Sequence, residues 1–203
     1  MNTSSATNMT GLFYNCYNLE SLDLTNFDTS SVTLMKWMLY HCYSIKSIKF
    51  PEIFNTSKVE SMFSMFNKCK SLIYLNLSNF DTSKVTDMSF MFYNCYNLKY
   101  LDIPHFSPII LTKIESLFNN MSSLIYLNIN SLEINDQTIK SNAFDNLPSD
   151  LKICSNKTNM QNYLLSIQKN YDCNDICFQS NPDEIFNQIK HIFLTINNEN
   201  NNE

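Results

Sequence analysis

The hydrophobic positions of the chain recur at a fixed interval of 26 residues, apart from one interval of 27 near Pro51. This interval separates the members of one sulfur-bearing column: Cys16, Cys42, Cys69, Cys95 and Met121. Other apolar columns keep the register, among them Met9, Met35, Met62, Met88, Ile114 and Leu22, Ile48, Leu75, Leu101, Leu127. Such a period predicts a solenoid, because one unit cannot bury its apolar face alone and must stack on the next.

Within each unit the pattern predicts a short helix followed by a strand. In the clearest unit, positions 85, 88, 91 and 92 are apolar, which is helical spacing. The run Asp81, Thr82, Ser83 precedes them and suits a helix N-cap. Leu98, Leu101 and Ile103 then alternate as in a strand over positions 99–103. Stacking therefore predicts a parallel sheet on one side of the coil and short helices on the other.

The residues between the inward-facing strand positions point outward and align into columns. The columns with the best recognition chemistry are Tyr74, Tyr100, Tyr126 and, beside them, Asn76, Asp102, Asn128. Tyrosine offers a large rigid contact area and a hydroxyl at small entropic cost. These six residues are our candidate ligand-binding site. The alternative is that the tyrosines stack on one another and only stabilise the sheet.

The strand motif L-x-x-L-x-L, at Leu72–Leu77 and Leu98–Ile103, and the longer run Asn76–Asp102 resemble the repeat of BspA-like leucine-rich-repeat proteins. They are most similar to the branch known from mycoplasma lipoproteins. The resemblance implies an α/β solenoid, coiled right-handed, with a parallel β-sheet on the concave side and short helices opposite. It also implies a surface or secreted protein that adheres to host proteins, matrix or cells, without catalytic residues.

The register divides the chain into three parts. Residues 4–133 form the solenoid of about five repeats, residues 134–196 a degenerate repeat and a cysteine-containing helical cap, and residues 197–203 a disordered tail. Amphipathic helices are predicted over 160–167 and 183–196. No polar cap precedes the first repeat, which suggests a piece of a longer protein and predicts end-to-end self-association through the uncapped repeat.

The seven cysteines fall into two groups. Cys16, Cys42, Cys69 and Cys95 are expected to form a ladder of buried, reduced thiols, since Met121 occupies the fifth place in their column. Cys154, Cys173 and Cys177 lie outside the main repeats, and Cys154 could form a disulfide with either of the other two in an extracellular protein. Three thiols alone do not complete a closed zinc site, so no metal is predicted.

Composition excludes several functions. The net charge is −5 and no run of Lys or Arg is present, which argues against nucleic acid as a partner. No stretch of about 18 apolar residues occurs, so no transmembrane segment is predicted. With one glycine the chain has no glycine-rich phosphate loop. His41 beside Cys42 is the only hint of a catalytic pair, and Cys42 belongs to the buried column, so we expect neither enzyme activity nor a cofactor.

The sequence therefore predicts a non-catalytic recognition module that engages a protein or glycan ligand through the concave sheet. The resemblance places it at the cell surface or outside the cell, although residues 1–11 lack the features of a secretion signal. The alternative is an intracellular, cytoplasmic scaffold whose repeats assemble partner proteins.

Overall fold

A computed structural model describes residues 3–103 and 105–171. This part of the chain forms a parallel β-solenoid of about five turns with one short helix. The elements in chain order are β1 Ser21–Asp23, β2 Ser47–Lys49, β3 Tyr74–Asn76, β4 Tyr100–Asp102, β5 Tyr126–Asn128, β6 Lys152–Cys154 and α1 Thr158–Ser166. The strands form two parallel sheets, β1-β2 and β3-β4-β5-β6. The sheets are separated beside the one coil that is a residue longer than the others.

A second face of the coil carries another parallel ladder. It consists of single bridges from each coil to the next, through Asn8, Leu34, Ser61, Asp87, Lys113 and Ile139. Each coil is thus hydrogen-bonded to its neighbours on two faces. The backbone in both ladders runs in the same direction, as the repeat requires.

The segments predicted to be short helices form the third face of the coil. The prediction is wrong there, because these segments form consecutive turns. The backbone N–H groups of Phe90, Phe92 and Asn94 donate to carbonyl oxygens in the next coil at 2.8, 3.1 and 3.0 Å. The N–H groups of the alternate residues Met91, Tyr93 and Cys95 close turns onto carbonyls three residues earlier. Half of the donors that a helix would use internally therefore join neighbouring coils. We call this part of each coil the turn ribbon.

Two left-handed backbone positions per coil explain why the turn ribbon is not helical. Apart from Gln168, which follows α1, the residues with positive φ angles, between 50° and 66°, lie in two stacked columns: Gly11, Trp37, Ser64, Phe90, Ser116, Asn142 and Asn15, His41, Lys68, Asn94, Asn120, Asn146. An α-helix needs negative φ throughout, so each of these residues reverses the local twist. Asparagine fills most of the second column because its side chain tolerates this conformation best after glycine.

The Asp-Thr-Ser runs also have a role other than the predicted helix caps. The Asp81 carboxylate accepts the backbone N–H of Ser83 at 2.9 Å, a turn that closes on itself. In the run Asp28-Thr29-Ser30 the threonine is buried and donates its hydroxyl to the Asn55 carbonyl in the next coil at 2.7 Å. The hydroxyl of Thr82 is buried without a hydrogen-bond partner among the described residues, so the first run both shapes a corner and joins two coils, and the second only shapes a corner.

The core lies inside the coil and consists of the predicted columns. Methionine, leucine, cysteine and phenylalanine side chains from successive coils are buried in one continuous cluster. The rings of Phe66, Phe92 and Phe118 stack with centroids 5.8 and 6.0 Å apart and planes within 3° of parallel. Stacking identical residues lets every coil bury the same apolar face.

The repeat continues one rung beyond residue 133. Strand β6 pairs with β5 in register, and Phe144 extends the phenylalanine column at 5.1 Å from Phe118. Helix α1 covers most of the helix predicted over 160–167 and buries Met160 and Leu164 in the same core. The predicted helix over 183–196 and the predicted tail over 197–203 lie outside the described residues.

Candidate recognition surface

The six residues of the candidate ligand-binding site lie together on the outer face of β3, β4 and β5. The register pairs Tyr74 with Tyr100 and Tyr100 with Tyr126. Asn76, Asp102 and Asn128 are paired in the same way two residues further along. The leucine between the two columns is buried in every strand, which directs both columns outward. We call these six residues the tyrosine face.

The tyrosine face is more enclosed than the corresponding face of the first two strands. In β1 and β2 the outward residues are short or charged, and all are exposed. The three tyrosines are half-buried, and Asn128 is buried. Burial raises the pKa of Tyr74 to about 12, and the neighbouring Asp102 carboxylate adds to the effect. The Tyr74 phenol therefore keeps its proton and remains able to donate a hydrogen bond at neutral pH.

Two of the three polar residues in the face are occupied by their own strand. The side-chain oxygen of Asn76 accepts the backbone N–H of Ser78 at 2.9 Å, and that of Asn128 accepts the N–H of Asn130 at 3.1 Å. Asp23 on β1 makes the same bond to Thr25. In β1, β3 and β5 this column therefore ends the strand in a turn, a structural role that sequence analysis did not assign to it.

Asp102 cannot make that turn, because the residue two positions later is Pro104, which has no backbone N–H. Its Oδ1 atom is buried and has no hydrogen-bond partner among the described residues. Burial raises the pKa of the Asp102 carboxyl, while a hydrogen bond from the Asn128 side chain and the charge of His105 oppose this. The proline was the signal in the sequence that would have distinguished Asp102 from its column neighbours.

The tyrosine face carries groups that can contact a ligand. It combines phenol rings with one acceptor suited to hydroxyl, amide or cationic donors. Among residues 3–103 and 105–171, no group of three His, Cys, Asp or Glu side chains is placed to hold a metal ion.

The four in-register cysteines lie where the repeat predicts. Cys42, Cys69 and Cys95 are buried, Cys16 is half-buried, and all four are free thiols. Each buried thiol donates to a backbone carbonyl of the preceding coil, Cys69 to Leu39 at 3.3 Å for example. Burial raises the pKa of Cys42 and Cys95 to about 12 and that of Cys69 well above its usual value. Thiols held in this state are poor nucleophiles.

Of the remaining sequence-predicted residues, His41 contacts tyrosine rings. His41 stacks on Tyr40 with ring centroids 3.8 Å apart, and its Nδ1 lies 3.3 Å from the Tyr43 hydroxyl. Cys154 is disulfide-bonded. Cys173 and Cys177 lie outside the described residues.

Comparison with known proteins finds one family. Residues 1–53 and 46–163 match the family described as "Mycoplasma protein of unknown function, DUF285". No curated protein and no solved structure matches the chain. Within the described residues, no helix has the length and apolar character needed to cross a membrane.

Proposed function

The chain belongs to the family of Mycoplasma proteins of unknown function called DUF285. For this member we propose a non-catalytic recognition module that binds a protein or glycan ligand through the tyrosine face. The proposed setting is the cell surface or the medium, where the module acts in adhesion. The repeat is proposed to be of the BspA-like leucine-rich type, on the basis of its L-x-x-L-x-L strands, with α1 as part of a helical cap.

The observation that carries the proposal is the position of Asp102. Its carboxylate is half-buried beside tyrosines, and its Oδ1 atom is without a hydrogen-bond partner in the described residues. A buried acceptor in this state costs stability, on the order of 1–3 kcal/mol for an unsatisfied polar group. A ligand donor that reaches Oδ1 would recover part of this cost on binding. The half-buried rings around it supply contact area in which such a bond is protected from water.

The setting is tested by brief protease treatment of intact source cells, followed by detection of the chain. Loss of the chain, with cytosolic marker proteins spared, supports a surface location. Complete protection would contradict it and favour the intracellular scaffold, which the free, buried thiols of the repeats also suit.

The binding face is tested by replacing Tyr74, Tyr100 and Tyr126 together with Ala. The purified chain is applied to immobilised host extracellular proteins and glycans, and we expect the triple variant to lose binding while its urea transition remains cooperative. Asp102→Ala alone, which removes the acceptor but keeps the rings, should weaken binding about tenfold or more. Retention of full affinity by both variants would show that the ligand binds elsewhere.

The matched control is Ser21→Ala with Ser47→Ala, which changes the same outward column on β1 and β2. These serines are exposed, so this variant should bind as the parent chain does. Equal losses in the serine and tyrosine variants would indicate a general effect of the sheet rather than a site at β3–β5.

A further inference from the structure

Aromatic and basic side chains form a continuous surface on the turn ribbons of the first four coils. Tyr14 stacks on Tyr40 with centroids 5.0 Å apart and planes 7° from parallel, and Tyr17 stacks on Tyr43 at 5.2 Å. His41 lies between the two stacks and contacts both Tyr40 and Tyr43. The third coil brings lysines into the same columns. We call the whole set the aromatic–lysine surface: Tyr14, Tyr17, Tyr40, His41, Tyr43, Lys68, Lys70 and Tyr96.

The two lysines are held by ring faces. The Lys70 ammonium lies 4.4 Å from the centroid of the Tyr43 ring and 5.8 Å from that of Tyr96, and the Lys68 ammonium lies 6.0 Å from that of Tyr40. The ion pairs of the described residues are Lys46–Glu20, Lys49–Asp23 and Lys157–Glu133, so neither lysine has a carboxylate partner there. Two cations, two residues apart in the chain, thus lack an ion-pair partner among the described residues.

Lys68 and Lys70 both lie close enough to His41 for their charges to act on it. The charges of Lys68 and Lys70 lower the pKa of His41, in addition to the larger effect of burial. Glu20 is the acidic residue nearest in sequence to the residues of the aromatic–lysine surface, and it already pairs with Lys46 at 3.0 Å. The surface is therefore locally positive, although the described residues contain as many acidic as basic side chains.

The orientation of the rings favours an anionic partner over a neutral sugar. Tyr40 and Tyr43 are stacked on Tyr14 and Tyr17 and also have a lysine over the ring, so they present ring edges and not ring faces to a partner. The edge of an aromatic ring carries the positive end of its quadrupole, and the face carries the negative end. The lysines already lie over faces. Outward edges and ammonium groups together attract carboxylates.

An apolar aromatic strip adjoins the lysines. Trp37 contacts Phe63 edge-on at 5.6 Å, Phe63 contacts Phe90 at 5.7 Å, and Phe90 contacts Tyr93 at 5.6 Å. Tyr93 occupies the same column as Tyr14 and Tyr40. Trp37 and Leu12 remain 38% and 39% exposed. A partner that reaches both features must carry negative charge and apolar side chains within a short length.

We propose that the aromatic–lysine surface is a second binding site, which docks an acidic peptide segment of a partner protein with apolar side chains among its Asp and Glu residues. The carboxylates contact Lys68, Lys70 and the tyrosine edges, and the apolar side chains lie on the Trp37–Phe90 strip. Sulfated polysaccharides match the charge but have no side chains for the strip. This site is on a different face from the tyrosine face and does not depend on it.

The proposal is tested with a displayed library of random 12-residue peptides selected on the full chain. We expect the selected peptides to be rich in Asp and Glu next to Leu, Phe or Trp. A selected peptide, labelled with fluorescein, should bind the Lys68→Gln/Lys70→Gln variant more weakly than it binds the control variant, by up to about thirtyfold, because each exposed ion pair contributes up to about 1 kcal/mol. Added salt should weaken its binding to the parent chain and have less effect on the variant.

The matched control is Lys84→Gln/Lys113→Gln, which removes two exposed lysines and the same net charge. It should bind within about twofold of the parent chain at moderate salt. Lys70→Gln alone provides an intermediate loss and guards against misfolding of the double variant. Ligand binding by the tyrosine face should be unchanged in all three variants.

Three outcomes would overturn the proposal. The first is a selected set of peptides without acidic enrichment, and the second is equal weakening in the two double variants. The third is dextran sulfate binding that depends on Lys68 and Lys70 while acidic peptides fail to bind, which would assign the surface to polysaccharides instead.

Discussion

The Sγ atom of Cys95 donates a hydrogen bond of 3.1 Å to the backbone carbonyl oxygen of Phe66, one coil earlier. The carbonyl belongs to the turn ribbon, where residues four apart have left-handed backbone and leave alternate carbonyls directed at the neighbouring coil. The same carbonyl accepts the backbone N–H of Cys69 at 3.1 Å, so the thiol fills the core and adds a second, inter-coil bond, which an alanine has no donor to make.

We expect iodoacetamide to label Cys16 well before Cys42, Cys69 and Cys95. The thiolate is the reactive species, and burial raises the pKa of Cys42 and Cys95 to about 12. The measurement is mass spectrometry of peptides after timed labelling at mildly alkaline pH. In concentrated urea all four should react at similar rates, and similar rates without urea would contradict the buried ladder.

The columns of residues with left-handed backbone predict how substitutions at Asn142 change stability. Asn142 is exposed and has a φ of 56°. Asn142→Val should lower the free energy of unfolding by about 1–2 kcal/mol, because its branched Cβ crowds the backbone at positive φ. Asn142→Gly should have little effect or stabilise the fold. Urea denaturation of the two variants gives the comparison, and equal stability would mean that the turn ribbon is not formed there.

The raised pKa of Asp102 predicts that this residue makes the folded chain less stable as the pH rises from acidic to neutral. Its pKa is raised in the folded state, so the folded chain binds the proton more tightly and the charged carboxylate opposes folding above that pKa. Asp102→Asn should therefore be more stable than the parent chain at neutral pH. The advantage should shrink as pH falls through the folded pKa of Asp102 towards the unfolded value of about 3.9.

The column neighbour Asp23 serves as the control of opposite sign. The Thr25 side-chain hydroxyl lowers the pKa of Asp23 by a hydrogen bond, so its charged form favours folding. Asp23→Asn should lose stability at neutral pH and approach the parent chain as pH falls below about 3.9. Thermal melts across the acidic range measure both, and a loss in Asp102→Asn at neutral pH would show that its carboxylate is not under-satisfied.

Carbonyl groups on the outer edge of the first coil favour self-association of this part of the chain. In the second coil the carbonyls of Lys36, Met38 and Tyr40 accept N–H groups from the first coil. The equivalent carbonyls in the first coil, those of Thr10, Leu12 and Tyr14, accept no backbone N–H from the described residues. The side chains at this edge are also partly exposed, Tyr14 to 49%. Backbone groups and apolar surface left in this state are a template for association.

Sedimentation velocity over a range of concentrations measures this association. Leu12→Lys/Tyr14→Lys should suppress it by placing charges on the edge. The matched control, Ile109→Lys/Ile110→Lys, changes the apolar pair in which Ile109 is 82% exposed, and it should leave the association intact. A parent chain that stays monomeric at all concentrations would contradict the prediction.

The sequence was most informative where every coil repeats the same burial. Columns such as Leu75, Leu101 and Leu127 predicted the stacked strands and their register, because a register slip would expose the whole core face. The tyrosine face follows from the same register. Its chemistry did not follow, since the difference between Asp102 and Asn76 depends on a missing N–H two residues later.

The short helices of the repeats were predicted wrongly because two structures share one apolar spacing. Inward positions three or four residues apart, as at Met88, Met91 and Phe92, fit a helix and also fit a ribbon of consecutive turns. The distinguishing signal was the recurrent asparagine at Asn94 and Asn120, which favours left-handed backbone. Periodicity alone cannot report the sign of φ.

The inter-coil bonds of the turn ribbon and both ladders determine how the chain responds to force. Tension applied along the stacking direction pulls each inter-coil hydrogen bond along its own axis. The bonds then break a few at a time and do not resist together, as they would if the coils were sheared past one another. One coil should therefore peel away before the next is loaded, and each should release roughly 90 Å of chain from a rung of about 4.8 Å. A solenoid with this construction lengthens in steps under pulling, so a contact made by its remaining coils can outlast the loss of the first.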